Sequence, residues 1–201
     1  MKDRKLLSIE LGRLSPEEYR SSPESGIVVV LDNIRSAHNV GSAFRTADAF
    51  HADRLILCGI TAFPPSAEIH KSALGAEDSV RWEHCPDSLS AVSRLRAEGY
   101  TVVAVEQTTA SVKLDAFRRD PAARYALVFG NEVDGVSQAV VDAADFSLEI
   151  PQYGTKHSLN VSVALGVILW HFRPQDGYDN LAGTADWHKR CPNQKPSIDK
   201  G

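Results

Sequence analysis

The chain has no apolar run near the roughly 20 residues that a membrane-crossing helix requires, so nothing in it reads as a span. It is short of cysteine: Cys58, Cys85 and Cys191 stand far apart and form no CxxC pair. That excludes a thiolate metal knuckle and a disulfide framework, and leaves reduced thiols as the expected state. There is no HxxxH and no cluster of Asp and Glu, so no metal is expected either. A basic excess is also missing. The formal net charge is -4 with a pI near 6.0, which weighs against a nucleic-acid partner, and any such reading has to survive it. Internal repeats and low-complexity tracts are absent. The first residues, MKDRKLLSIELGR, carry charges where a signal peptide needs an apolar core, so a cytoplasmic protein is expected.

What is present is the balance of a folded domain. Hydrophobic residues make up 43% and charged residues 24% of a chain of 201, which suits one globular unit and argues against disorder. SPEEYR predicts a helix start, with Ser15 as cap, Pro16 in the first turn and Glu18 completing a capping box. IVVVLD (27–32), RLILCG (54–59), TVVAVE (101–106), YALVFG (125–130) and FSLEI (146–150) read as strands, with VRWEH a shorter one. GSAFRTADAF, SLSAVSRLRAEG, SQAVVDAA and the stretch from about Ser158 to Phe172 read as helices, and SAEIHKSALG as a short helix or ordered loop. Strands apolar on both faces and separated by helices predict an α/β fold, a parallel sheet with helices on both faces.

Ligands of such sheets collect beyond the carboxyl ends of the strands, and four loops there are unusual. The first, NIRSAHNVGSAFR, spaces Asn39, Gly41 and Arg45 across a helix start. Free N–H groups there, with a guanidinium one turn on, would hold an anion. Alternatively, Asn39 caps the helix, Gly41 permits close packing and Arg45 is a surface residue. EQTTAS follows the strand at 101–106. NEVDGVS sets Asn131 and Glu132 between Gly130 and Gly135, where glycine allows either close approach to a ligand or a tight turn. PQYGTKHSLN precedes the last helix. If that helix begins near Ser158, then Ser158 serves as its cap, and Asn160 meets the same ligand only around the first turn.

Taken in order, NxGxxxR (Asn39 to Arg45), LVFGNEVDGVS and IPQYGTKHSLNVSVALG resemble the three motifs of SpoU-type (TrmH-like) RNA ribose methyltransferases, members of the SPOUT superfamily. HKSALGAEDSV is similar to that family's connecting segment, and the likeness runs from about Ile27 to Phe172. It implies an α/β domain with a C-terminal deep trefoil knot, a homodimer, and S-adenosylmethionine as cofactor. The implied reaction is methylation of a ribose 2′-hydroxyl in RNA, tRNA more than rRNA. Carried over by position, Asn39, Arg45, Glu132, Ser158 and Asn160 match the family's polar site. The implied cofactor loops are Glu106, Gln107 and Thr108; Phe129, Gly130, Asn131 and Glu132; Ile150 and Pro151; and Ser158, Leu159 and Asn160. A GxGxxG loop is lacking, consistent with a cofactor read by main-chain groups.

A sugar hydroxyl is a poor nucleophile, so the site must align it and help it lose a proton. Arg45 is expected to grip the neighbouring phosphate and stabilise the developing alkoxide. Glu132 would order Arg45, bind RNA or serve structure. RNA contacts are expected from Arg35, His38, Arg45, Lys71 and Lys156, a local basic strip that the net charge conceals. The domain expectation is a helical arm over 1–25, the methyltransferase domain over 26–173 and a polar tail over 174–201. Lys189, Arg190, Lys195 and Lys200 against Asp186 and Asp199 give that tail a local positive balance.

Overall fold

The central strands form where the sequence puts continuous apolar runs, because both of their faces find cover. In the computed structural model, which describes residues 4–173, β1 (Ile27–Asp32) is buried at every position. Its alternating side chains divide between two cores: Ile27, Val29 and Leu31 join one, Val28 and Val30 the other. Full burial of each such side chain contributes ~1.5–3 kcal/mol. The first core is closed by α2 (Ala37–Ala49), α3 (Ala67–Ala73) and α7 (Val161–Phe172). The second is closed by α5 (Ser88–Ala97) and α6 (Gln138–Ala143). Among the described residues no helix is long and apolar enough to cross a membrane.

The sheet is wholly parallel, with seven strands in the order β3-β2-β1-β6-β4-β7-β5. Here β2 is Arg54–Cys58, β3 Arg81–Cys85, β4 Thr101–Val105, β5 Val112–Lys113, β6 Tyr125–Phe129 and β7 Phe146–Glu149. The two-residue β5 was not anticipated. It is held on β7 through Lys113 and Ser111, both bonded to the Glu149 carboxylate. Because β6 lies between β1 and β4, the loops after β1, β4, β6 and β7 emerge at the same sheet edge.

Two helix starts differ from expectation. Ser36, not Asn39, caps α2, its side chain accepting from the Asn39 N–H. Asn160, not Ser158, caps α7, accepting from the Ser162 N–H at 2.9 Å. Gly41 serves packing, as one of the two readings held: a Cβ there would overlap Ser72 and the Ile69 carbonyl of α3. The SAEIHKSALG segment splits at Leu74 and Gly75, both in the left-handed region, into α3 and a short α4 (Ala76–Ser79).

The N-terminal arm carries α1 (Pro16–Ser21) with the anticipated capping box of Ser15 and Glu18. Tyr19 docks the arm, donating its hydroxyl to the Ala52 carbonyl at 2.9 Å and lying against His51. Ser22 Oγ meets His51 Nε2 at 2.7 Å. Burial pushes the His51 pKa below its ordinary 6.5, outweighing its own backbone bond and the Asp53 and Asp48 carboxylates, which act the other way. A histidine kept neutral by folding contributes stability above that value and loses it as the pH falls below it. Burial raises Asp48 and Asp53, so their contribution has the opposite sign, but only nearer the carboxylate range. The melting temperature is therefore expected to fall between pH 8 and 6, by about 3 °C at most. The variant His51→Phe should flatten that dependence in a calorimetric pH series, and an unchanged slope would acquit His51.

Candidate active site

A crevice of about 520 Å3 opens beyond the carboxyl ends of β4, β6 and β7. Its volume falls in the range of small-molecule sites. Val105, Phe129, Leu148 and Ile150 give it apolar walls at the strand ends. Of the positions expected to hold a cofactor, Glu106, Gln107, Phe129, Gly130, Asn131, Glu132, Ile150, Ser158, Leu159 and Asn160 line it. Thr108 and Pro151 do not.

Backbone geometry fixes these loops before any ligand enters. Asn131 and Gly135 form an antiparallel bridge, with both N–H···O bonds at 3.1 Å. Asn131 Oδ1 also accepts from the N–H groups of Val133 and Asp134 at 2.9 Å. The Glu106 carboxylate lies beneath this turn, accepting from Val136 N at 2.9 Å and Gln107 N at 2.8 Å. Glu106 is thereby engaged, while Thr109 and Ala110 further along EQTTAS form an exposed turn. Gln107 Nε2 then donates to the His157 carbonyl at 2.7 Å, tying the loop after β4 to the one before α7. Below them Asp32 is buried and accepts from Asn33, Ser88 and the Ser137 N–H, anchoring the ends of three segments on one carboxylate.

At the lip a polar chain crosses the molecule. Glu132 accepts from Arg35 N at 3.1 Å, Ser36 N at 3.3 Å and Asn39 Nδ2 at 2.8 Å. Asn39 Oδ1 in turn accepts from Asn160 Nδ2 at 3.2 Å and Ser162 Oγ at 3.1 Å. Partial burial raises the Glu132 pKa, but the bonds from Asn39, from its own backbone and from Arg35 and Ser36 together hold it below the ordinary 4.5. The carboxylate is ionised at neutral pH, so it neutralises the α2 N-terminus. At the entry to α2 the N–H groups of Arg35 and Ser36 are thus taken by Glu132, and that of Asn39 by Ser36. Within one chain Glu132 bonds the β1–α2 loop and makes no bond to Arg45.

Asn39, Glu132 and Asn160 therefore converge. Ser158 lies in the crevice lining without capping α7. Arg45 stands apart in the single chain. It is exposed on α2, about 9 Å along the axis from Asn39, and has no hydrogen bond or ion pair among the described residues. Arg35 is exposed and pairs with Asp134 at 3.6 Å; His38, Lys71 and Lys156 are exposed as well. Sequence reasoning missed Ser162, which fixes the Asn39 amide, and Asp134 and Gln152 in the lining. Ser162 carried a signal, lying one helical turn past Ser158.

The model of the SpoU rRNA Methylase family matches residues 26–170. A Staphylococcus haemolyticus protein assigned to the TrmH family of tRNA/rRNA methyltransferases is 32% identical over 143 residues, 71% of this chain and 56% of that protein. The chain thus spans little more than half the length of that curated relative. Among solved structures, the AdoMet-bound rRNA methyltransferase of Sinorhizobium meliloti superposes with a TM-score of 0.69 at 30% identity, covering 80% of this chain and 60% of its own. The A. aeolicus TrmH/SpoU tRNA modifying enzyme superposes with a TM-score of 0.68 at 27% identity, covering 88% of this chain and 93% of its own.

Proposed function

The chain belongs to the SpoU rRNA Methylase family, and on that premise we propose that it transfers a methyl group from S-adenosylmethionine to a ribose 2′-hydroxyl of RNA, with tRNA as substrate. The observation that carries this reading is the Glu132–Asn39–Asn160 chain at the crevice lip, where a bound donor and an incoming sugar would meet. The tRNA reading is supported by likeness to the A. aeolicus TrmH/SpoU tRNA modifying enzyme, 93% of whose chain is covered.

The crevice fits the cofactor in size and donor chemistry: apolar walls for an adenine, main-chain groups along residues 129–132, and Glu106, Ser158 and Asn160 for polar edges. When bound, the cofactor supplies an electrophilic methyl on a cationic sulfonium. The protein's part is alignment and proton handling. Asn39 and Asn160 hold the lip, Glu132 keeps the β1–α2 loop from drifting, and Arg45 grips the phosphate beside the target ribose and stabilises the developing alkoxide. A guanidinium with a pKa above about 12 is a poor base, so the proton passes to water.

Two finer features complete the reading. A deep trefoil knot is what the motif resemblance implies for residues 150–160, which leave β7, are tied to the loop after β4 by Gln107 and reach α2 where Asn160 bonds Asn39. A homodimer is supported by the outer face of α7, where Val163, Val167 and Trp170 stay exposed at i, i+4, i+7 spacing. Packing a second copy there would also bring its Arg45, on the neighbouring helix, toward the first copy's crevice.

The test is transfer of labelled methyl from S-adenosylmethionine to unfractionated tRNA and, separately, to rRNA, followed by nuclease digestion to nucleosides. Label on the ribose of tRNA nucleosides is expected. Label on a base would overturn the ribose assignment, label only in rRNA the tRNA one, and absence of cofactor binding would leave a non-catalytic RNA-binding factor.

A further inference from the structure

The loop between β2 and α3, residues 59–66, displays apolar groups that the fold does not need. Ile60 is 67% and Phe63 46% exposed. The Phe63 ring lies 4.7 Å from His84 and 6.1 Å from Trp82, nearly parallel to the latter at 28°. These three rings cluster into an aromatic shelf at the open edge of the sheet, Phe63 tilted 43° to His84, β3 being the last strand.

The shelf is rigid and belongs to the same frame as the crevice. Thr61, itself buried, accepts from Ile34 N at 2.9 Å and donates to the Leu31 carbonyl. Asn33 Oδ1 accepts from Ile60 N at 3.2 Å, and His84 Nε2 meets the Gly59 carbonyl at 3.1 Å. The loop is thus bolted to the β1–α2 loop, which Glu132 holds at the crevice lip. Both lie beyond the carboxyl ends of neighbouring parallel strands.

We propose that Phe63, backed by Trp82 and His84, is a stacking platform for an unpaired base of the substrate RNA next to the target nucleotide. This rests on the RNA activity proposed above. Unpaired bases stack on exposed rings without sequence preference. An RNA strand laid from the crevice lip along the edge would pass Arg35 before it reaches the shelf, and the following helix presents exposed Lys71. Those cations suit a phosphate backbone better than an apolar protein surface.

The test uses the full chain with unfractionated tRNA as probe, binding read by filter retention at fixed salt. Phe63→Ala should weaken tRNA affinity roughly tenfold, Phe63→Tyr should keep it, and calorimetry should find S-adenosylmethionine binding unchanged in both. Equal affinity in Phe63→Ala, or lost affinity in Phe63→Tyr, overturns the platform while methyl transfer by the wild type still stands. A shift in oligomeric state in Phe63→Ala with tRNA affinity intact assigns the shelf to a protein contact instead. A wild-type chain that binds cofactor but no RNA overturns both readings.

Discussion

Replacing Gly130 by alanine is expected to abolish S-adenosylmethionine binding, weakening it by about 100-fold or more, the scale of a few kcal/mol of overpacking. Gly130 follows β6 where the chain enters the crevice. A Cβ there would overlap the backbone of Gly135 and Val136, not the end of a flexible side chain. Relief would require opening the Asn131–Gly135 bridge and lifting Val136 from Glu106. Glu132 sits inside that turn, so its grip on Arg35, Ser36 and Asn39 would go with it. Gly154 is the control, because a Cβ at that position meets nothing within 4 Å. Gly154→Ala should bind like the wild type in calorimetry. A Gly130→Ala protein that also does so would show that the turn can give way without cost.

How much of this was legible beforehand depends on the range of the interactions involved. The apolar runs at 27–32, 101–106 and 125–130 were readable as strands because burial on both faces leaves a mark in every residue. The Ser15–Glu18 capping box was readable because both partners lie within one turn. The start of α2 was not. Ser36, His38 and Asn39 all sit near it, and the choice of Ser36 as cap is stabilised by Glu132, which fixes the N–H groups of Arg35 and Ser36 from far along the chain. The Asn39 side chain is thereby freed to bond Glu132, Asn160 and Ser162. The same logic displaced the α7 cap from Ser158 to Asn160, whose amide is wanted by Asn39. Strand order was illegible for a related reason: β6 enters between β1 and β4, and non-local pairing leaves no local trace. The motif resemblance picked out loops that line one crevice, but which side chain touches which depends on packing that no local pattern records.

Replacing Arg45 by alanine is expected to lower methyl transfer by roughly 10²–10³-fold while S-adenosylmethionine affinity stays near the wild-type value. The reasoning is geometric. Arg45 does not line the crevice and reaches none of Asn39, Glu132 or Asn160 in one chain. Its removal should therefore leave the cofactor's surroundings untouched, and loss of cofactor binding would show that the role is misassigned. The position of Arg45 also makes a sharper expectation. If it acts on the crevice of a second copy, two inactive variants should complement each other. Mixing Arg45→Ala with Gly130→Ala and allowing subunits to exchange makes about half the dimers mixed, each with one complete site, and so restores about a quarter of the wild-type activity. Methyl transfer to tRNA by the re-paired mixture, against each variant alone, reads this directly. If the mixture stays as inactive as its components although exchange is demonstrated, Arg45 serves its own chain's crevice or none, and the composite site is excluded.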